Sequence, residues 1–223
     1  MSEFFTLRLN KVRILDNREW GNAEVKIISF VTTGNDVLPV LDSYHDTTDD
    51  AEKRDLIKAA ARMIVSSREF TEIQNVKDDT ILTFGAEGFS LYTAYEIPMD
   101  LNWSLTLIER DADVREVGRQ LTEVVNSEDF NNFTDEIIET VSGTENPGLK
   151  IAFKVGKFFA QTAGRSLAQN RDDQIGMYIE SLNKFEHYPR CERKRDSQPG
   201  VNGNIFVDYT IFGMRYRDRS DVS

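Results

Sequence analysis

LNWSLTLIERDAD, residues 101–113, alternates apolar and polar side chains over its first half. Leu101, Trp103, Leu105 and Leu107 fall on one face of an extended strand, with Asn102, Ser104 and Thr106 on the other. That is the period-two pattern of a strand with one apolar, buried face. The strand then runs into Glu109, Asp111 and Asp113, carboxylates two residues apart. On an extended backbone all three leave on the same side. A buried strand ending in a fan of carboxylates is a place where a hard cation could sit.

Upstream, Leu7 and Leu9 occupy one parity and Val12 and Ile14 the other, which predicts a bulge near Asn10 and Lys11 within a strand over residues 4–15. The turn formers Asp16, Asn17 and Gly21 come next, followed by a second strand over 24–31, so the opening reads as a hairpin with an acidic loop. A short strand is expected over 37–41. Asp49 or Asp50 caps a helix to about residue 66, lined by Leu56, Ile57, Ala60 and Ile64. Residues 69–84 hold two strands around Lys77, Asp78 and Asp79. A further strand over 89–97 is closed by Pro98, and the acidic-tipped strand is expected to pair with it.

From Val114 the spacing turns helical, through Leu121, Val125, Phe130, Phe133, Ile137 and Val141. Pro147 opens a further helix to about Asn170. Residues 175–182 and 204–212 return to strand alternation, and the tail after Arg215 is polar. The order β-rich, helical, β-rich predicts one domain over 1–223, with a helical block at 114–170 inserted between strands of one antiparallel β-sandwich. Two strands alone do not make an independent sheet, so the strands on either side of the block need each other.

Composition narrows the function classes. With 27 basic and 38 acidic residues, the formal net charge is -11, which disfavours nucleic acid as a partner. Cys191 is the single cysteine, so no internal disulfide forms and a disulfide-stapled secreted domain is excluded. The opening MSEFFTLRLNKVRIL has no basic region followed by an apolar run, hence no secretory signal. No segment approaches the roughly 20 apolar residues that span a bilayer. The expected location is the cytoplasm, with peripheral attachment to a membrane left open.

ERDAD after one strand and DDQIG before the next (Asp172, Asp173, Gln174, Ile175, Gly176) resemble the third calcium loop of C2 domains. That resemblance implies an antiparallel C2-like β-sandwich in which acidic loops gather at one end and bind Ca2+. The loop holding Asp16 takes the place of the family's first calcium loop. Carried over position by position, the implied ligands are Asp16, Glu109, Asp111, Asp113, Asp172 and Asp173, with Glu19 a weaker addition. The chain departs from the family in three places: an insertion splits the third loop, the first loop has one clear aspartate, and a helix enters near residues 50–66.

Other features have two readings each. The acidic residues are either a cation site or solvated loop tips in an acidic protein. The helix carrying Lys150, Lys154, Lys157 and Arg165 could lie on an anionic membrane, but its apolar residues surround much of it, which favours packing on the sandwich or on a partner subunit. The basic run Arg190, Arg193, Lys194 and Arg195 reads as a solvated hairpin loop, with anion binding the alternative. No phosphate-binding glycine loop, zinc spacing or nucleophile elbow is present, and His187 and Cys191 share a loop without an oxyanion hole, so no enzyme is expected. The expected function is a calcium-binding C2-like module that engages an anionic membrane surface or a partner protein. The alternative is a metal-independent assembly protein, homo-oligomers included, with the sandwich as scaffold and the helical block as interface.

Overall fold

Strand alternation early and late in the chain produces two antiparallel sheets facing each other across a shared apolar core. The computed structural model of the chain describes residues 2–17, 21, 23–33, 40–44, 46–66, 69–109, 119, 121–141, 147–162 and 174–216. The first sheet centres on β1 (Ser2–Ile14). One edge of β1 pairs with β9 (Ile205–Tyr216), which in turn pairs with β8 (Glu192–Pro199). The other edge is shared by β4 (Thr80–Thr83) and β5 (Phe89–Ala94). The second sheet runs β3 (Glu69–Val76), β2 (Ala23–Thr33), β6 (Asp100–Glu109), β7 (Gln174–Asn183).

The parity change in β1 is a bulge. Leu9 pairs with Tyr209 and Lys11 with Asp208, so Asn10 is the extra residue. Its side chain donates to Thr210 Oγ1 at 2.7 Å, and its carbonyl accepts the Phe84 N–H at 3.0 Å. The bulge keeps Phe5, Leu7 and Leu9 on the same inner face as Val12 and Ile14.

Trp103 anchors the core between the sheets. It is fully buried, its ring lies 5.1 Å from that of Tyr178 on the neighbouring strand of its own sheet and 5.3 Å from that of Tyr209 on the facing sheet, and its Nε1–H donates to Ser29 Oγ at 3.0 Å. Edge-to-face aromatic contacts with the indole N–H satisfied fix the orientation of the Trp103 ring in the core.

Among the described residues, helices cover the outer face of the second sheet. α1 (Asp50–Ser66) is capped by Asp49, whose carboxylate accepts the Ala51 N–H at 2.9 Å. α2 (Glu128–Val141) is capped by Ser127, whose Oγ accepts the Phe130 N–H at 3.2 Å. α3 (Pro147–Thr162) starts on a proline that needs no N–H partner. α2 and α3 lie in the chain between β6 and β7, which pair with each other. Ile151, Ala152, Val155 and Phe159 of α3 are buried with Ile28 and Phe30 of β2 in a second apolar cluster. Phe133 and Phe158 stack at 4.4 Å, and Arg54 is ion-paired with Asp135, joining the helices to one another.

Several expectations are corrected. β1 and β2 do not form a hairpin; they lie in different sheets. The eight residues between them, 15–22, are more than a tight hairpin turn needs, and they link strands of different sheets. β3 and β4 likewise belong to different sheets. β6 pairs with β2 and β7, not with β5, because a strand buried on both faces needs long neighbours on both edges, and β5 is a short strand on β1. The face of β6 carrying Asn102, Ser104 and Thr106 is polar but buried, beneath helices rather than water. Of the short strand expected at 37–41, Val40 and Leu41 are helical, and 37–39 lie outside the described residues. Residues 192–199, read as part of a loop, form edge strand β8.

Trp103→Ala is expected to cost about 3–5 kcal/mol through the cavity it opens. Ser29→Ala, which strands the indole N–H, should cost about 1–3 kcal/mol. Urea denaturation of both variants checks the ordering.

Candidate functional site

The acidic pole is built where β1, β6 and β9 change direction. β1 ends at Ile14, β9 begins opposite it at Ile205, and β6 ends at Glu109 opposite Val25. Ala23, two residues from Val25, pairs with Val76. Asn17 ties the β1 exit to this point. Its side chain is 1% exposed, and Nδ2 donates to the carbonyls of Gly21 at 2.9 Å and Val76 at 3.0 Å. Its own N–H donates to Asp78 Oδ1 at 2.9 Å. Asp16 and Glu109 therefore share one pole, although they belong to strands of different sheets.

Asn204, just before β9, holds this pole together. Its Oδ1 accepts the Asp16 N–H at 3.0 Å, and its Nδ2 donates to the carbonyls of Asp16 at 2.7 Å and Ile175 at 2.8 Å. One amide thus links the exit of β1 to the entry of β7. Asn202 adds a second donor to the Ile175 carbonyl at 3.2 Å. The β8–β9 turn packs against β7 so closely that a Cβ on Gly200 would stand 2.5 Å from Ile205 Cγ1 and 2.7 Å from the Met177 carbonyl oxygen. A Cβ on Gly176 would likewise stand 2.5 Å from Ile205 Cγ2. These two glycines are required by approach, not by backbone conformation.

Of the six expected ligands, Asp16 is exposed and Glu109 half-buried at the same pole. Asp111, Asp113, Asp172 and Asp173 lie outside the described residues, as does Glu19. Two further carboxylates belong to this pole. Asp78 accepts from Asn17, and Asp79 pairs with Arg13 at 2.8 Å while its N–H donates to the Leu15 carbonyl at 3.1 Å. Asp79 adopts a left-handed backbone with φ of 56°, a conformation aspartate tolerates better than most residues. Among the described residues, no group of three or more His, Cys, Asp or Glu side chains is arranged to hold a metal ion.

The two basic features resolve differently. On α3, Lys154 Nζ donates to Thr140 Oγ1 at 2.7 Å and lies 3.8 Å from Glu136, while Lys150 and Lys157 are exposed; Arg165 lies outside the described residues. The apolar side of α3 is used against the sheet. On β8, Arg193 donates to the carbonyls of His187 at 2.9 Å and Glu186 at 3.2 Å, and Lys194 lies 3.4 Å from Glu192. His187 Nδ1 accepts the Asn183 N–H at 3.1 Å, so that nitrogen serves the turn after β7. Sequence reading passed over Asn204 and took Asn17 only as a turn former, since asparagine in a turn signals only a turn.

Asn204→Ala removes three hydrogen bonds and is expected to lower stability by about 1–3 kcal/mol. Gly200→Ala is expected to cost a similar amount, about 1–3 kcal/mol, by overpacking. Urea midpoints at unchanged slope check both. No family model matches the chain, and no curated protein matches it. Among solved structures, it is similar to human GIVD cytosolic phospholipase A2 in complex with methyl gamma-linolenyl fluorophosphonate, with a TM-score of 0.34 and 9% identity. The matched region covers 98% of this chain and 18% of that one.

Proposed function

We propose that the chain is a C2-like β-sandwich module that binds Ca2+ at the Asp16 pole and through it engages an anionic membrane surface or a partner protein. The observation supporting this reading is that the exit of β1, the end of β6 and the entry of β7 share one pole, linked by Asn17 and Asn204. Asp111 follows Glu109 by two residues, and Asp172 and Asp173 immediately precede Gln174. The donor set is all hard oxygen, the chemistry that a hard cation prefers over a transition metal. Bound Ca2+ would supply charge cancellation among carboxylates that otherwise repel one another. With that charge cancelled, Asp16 and its neighbours no longer oppose an anionic surface.

A second reading, a metal-independent assembly protein, draws on a different observation. Among the described residues the helices cover the second sheet, and the outer face of the first carries Phe4 in contact with Phe212 at 6.0 Å and with the exposed Tyr95 at 6.3 Å. In this reading the first sheet is the interface, because α3 has already used its apolar side.

Calorimetry with millimolar CaCl2 is expected to show binding heat. At a hundredfold excess over Kd, the stabilisation of about 2.7 kcal/mol should raise Tm by about 5–10 °C for a chain of this size. Asp111→Asn with Asp173→Asn should abolish both effects. Absence of heat together with an unchanged Tm removes the calcium reading. Oligomers that persist in chelator on size-exclusion chromatography favour the assembly reading.

A further inference from the structure

At the pole opposite Asp16, the turns leaving β5 and β7 and the last residues of strand β9 surround a cavity of about 490 Å³. This is within the roughly 300–1,000 Å³ typical of small-molecule sites. Its walls mix apolar groups from Ile97, Tyr188, Pro189 and Met214 with the cations Lys184, Arg190 and Arg215. Tyr188 is held from behind by Phe5, the rings 4.7 Å apart.

The charges are unevenly matched. Arg215 Nε is 2.8 Å from Glu3 Oε1, and Glu3 Oε2 accepts the Ile97 N–H at 3.0 Å. The Ile97 N–H, helped by Lys184 and Arg215, holds the Glu3 carboxyl below the usual carboxylate range, so it stays ionised and keeps Arg215 occupied. Lys184 and Arg190 have no carboxylate within salt-bridge distance among the described residues. In a chain of net charge -11, a concave surface with apolar walls and two cations outside any direct salt bridge, Lys184 also facing Glu3 at longer range, is suited to an anion. Neither charge alone nor apolar area alone accounts for both wall types.

We propose that this cavity binds a small organic anion, a phosphate monoester or carboxylate with an apolar body, its charge held by Lys184 and Arg190 and its body against Ile97, Tyr188, Pro189 and Met214. The exposed thiol of Cys191 lies in the cavity wall and is the chain's single cysteine. It reports occupancy directly, because a ligand in the cavity shields it from alkylation. Gly213 also lines the cavity, and a Cβ there meets only ordinary contacts, 3.6 Å from the Pro189 carbonyl oxygen and 3.9 Å from Ile97 Cδ1. A larger side chain at 213 would extend into the space where the ligand body sits.

The test follows the rate of maleimide alkylation of Cys191 in the full chain, with octyl phosphate below its micellar range, inorganic phosphate or octanol added separately. Octyl phosphate is expected to slow alkylation saturably, by about fivefold or more, the magnitude of a site largely occupied. Inorganic phosphate and octanol should each leave the rate nearly unchanged. Lys184→Glu with Arg190→Glu should abolish protection through charge, and Gly213→Leu should abolish it with both cations in place, melting curves confirming that each variant is folded. Should one variant fail to fold, the other still decides. No protection by octyl phosphate overturns the proposal, as does undiminished protection in the folded variants. Protection by inorganic phosphate or by octanol equal to that by octyl phosphate also overturns it, because the site would then read only half of the ligand.

Discussion

Burial of β2 and β6 on both faces is the constraint from which the rest of the architecture follows. Toward the first sheet these strands present Val25, Ile27, Trp103, Leu105 and Leu107 to the shared core. Toward the helices they present Ile28, Phe30 and Ile108 together with Thr32, Asn102, Ser104 and Thr106. An antiparallel sheet commonly leaves one face wet; here α1, α2 and α3 remove that option. The polar groups under the helices must then find internal partners. Asn102 Oδ1 accepts from Ser181 Oγ at 2.7 Å and the buried Lys26 lies 3.5 Å from Glu24, whereas Thr32 Oγ1 and Asn102 Nδ2 have no hydrogen-bond partner among the described residues.

That arrangement makes the molecule asymmetric. One sheet is sealed by helices, while the other keeps an outer face lined with Arg8, Asn10, Lys11 and Asp208. The charged edge strand β8 closes the open sheet, and its consecutive charges at Glu192, Arg193, Lys194 and Arg195 discourage a second chain from pairing there. The two poles differ as well. One gathers the exits of β1 and β6 with carboxylates and an asparagine clamp; the other gathers chain ends around cations and apolar rings. The physical contrast between the poles comes from which turns the two sheets bring together, not from any contiguous stretch of chain.

Much of the secondary structure was legible because it rests on local rules. The bulge at Asn10 followed from a parity change between Leu9 and Val12, and α1 followed from Asp49 ahead of an apolar stripe. Strand β8 was not legible, since ERKRDSQP has no apolar period and is a strand only because β9 offers it hydrogen bonds. Strand partners were misread for a related reason. Adjacency in sequence favours hairpins, but the links after β1, β3 and β5 each cross between sheets. Of the candidate site, Asp16 and Glu109 could be named from the chain, whereas the roles of Asn17, Asn204 and Asp78 rest on contacts that include partners 59, 61 and 188 positions away.

By itself the sequence determined that this is a mainly antiparallel β protein with helices before and after its central acidic-tipped strand. Period-two and helical spacings are properties of neighbouring residues, and no distant contact is needed to see them. Tertiary structure alone decided which strands pair, that the polar side of β6 faces helices rather than water, and that Lys184, Arg190 and Arg215 meet around one cavity. Pairing and burial depend on how complete faces fit together, and that fit is a property of the whole chain's packing rather than of any window within it.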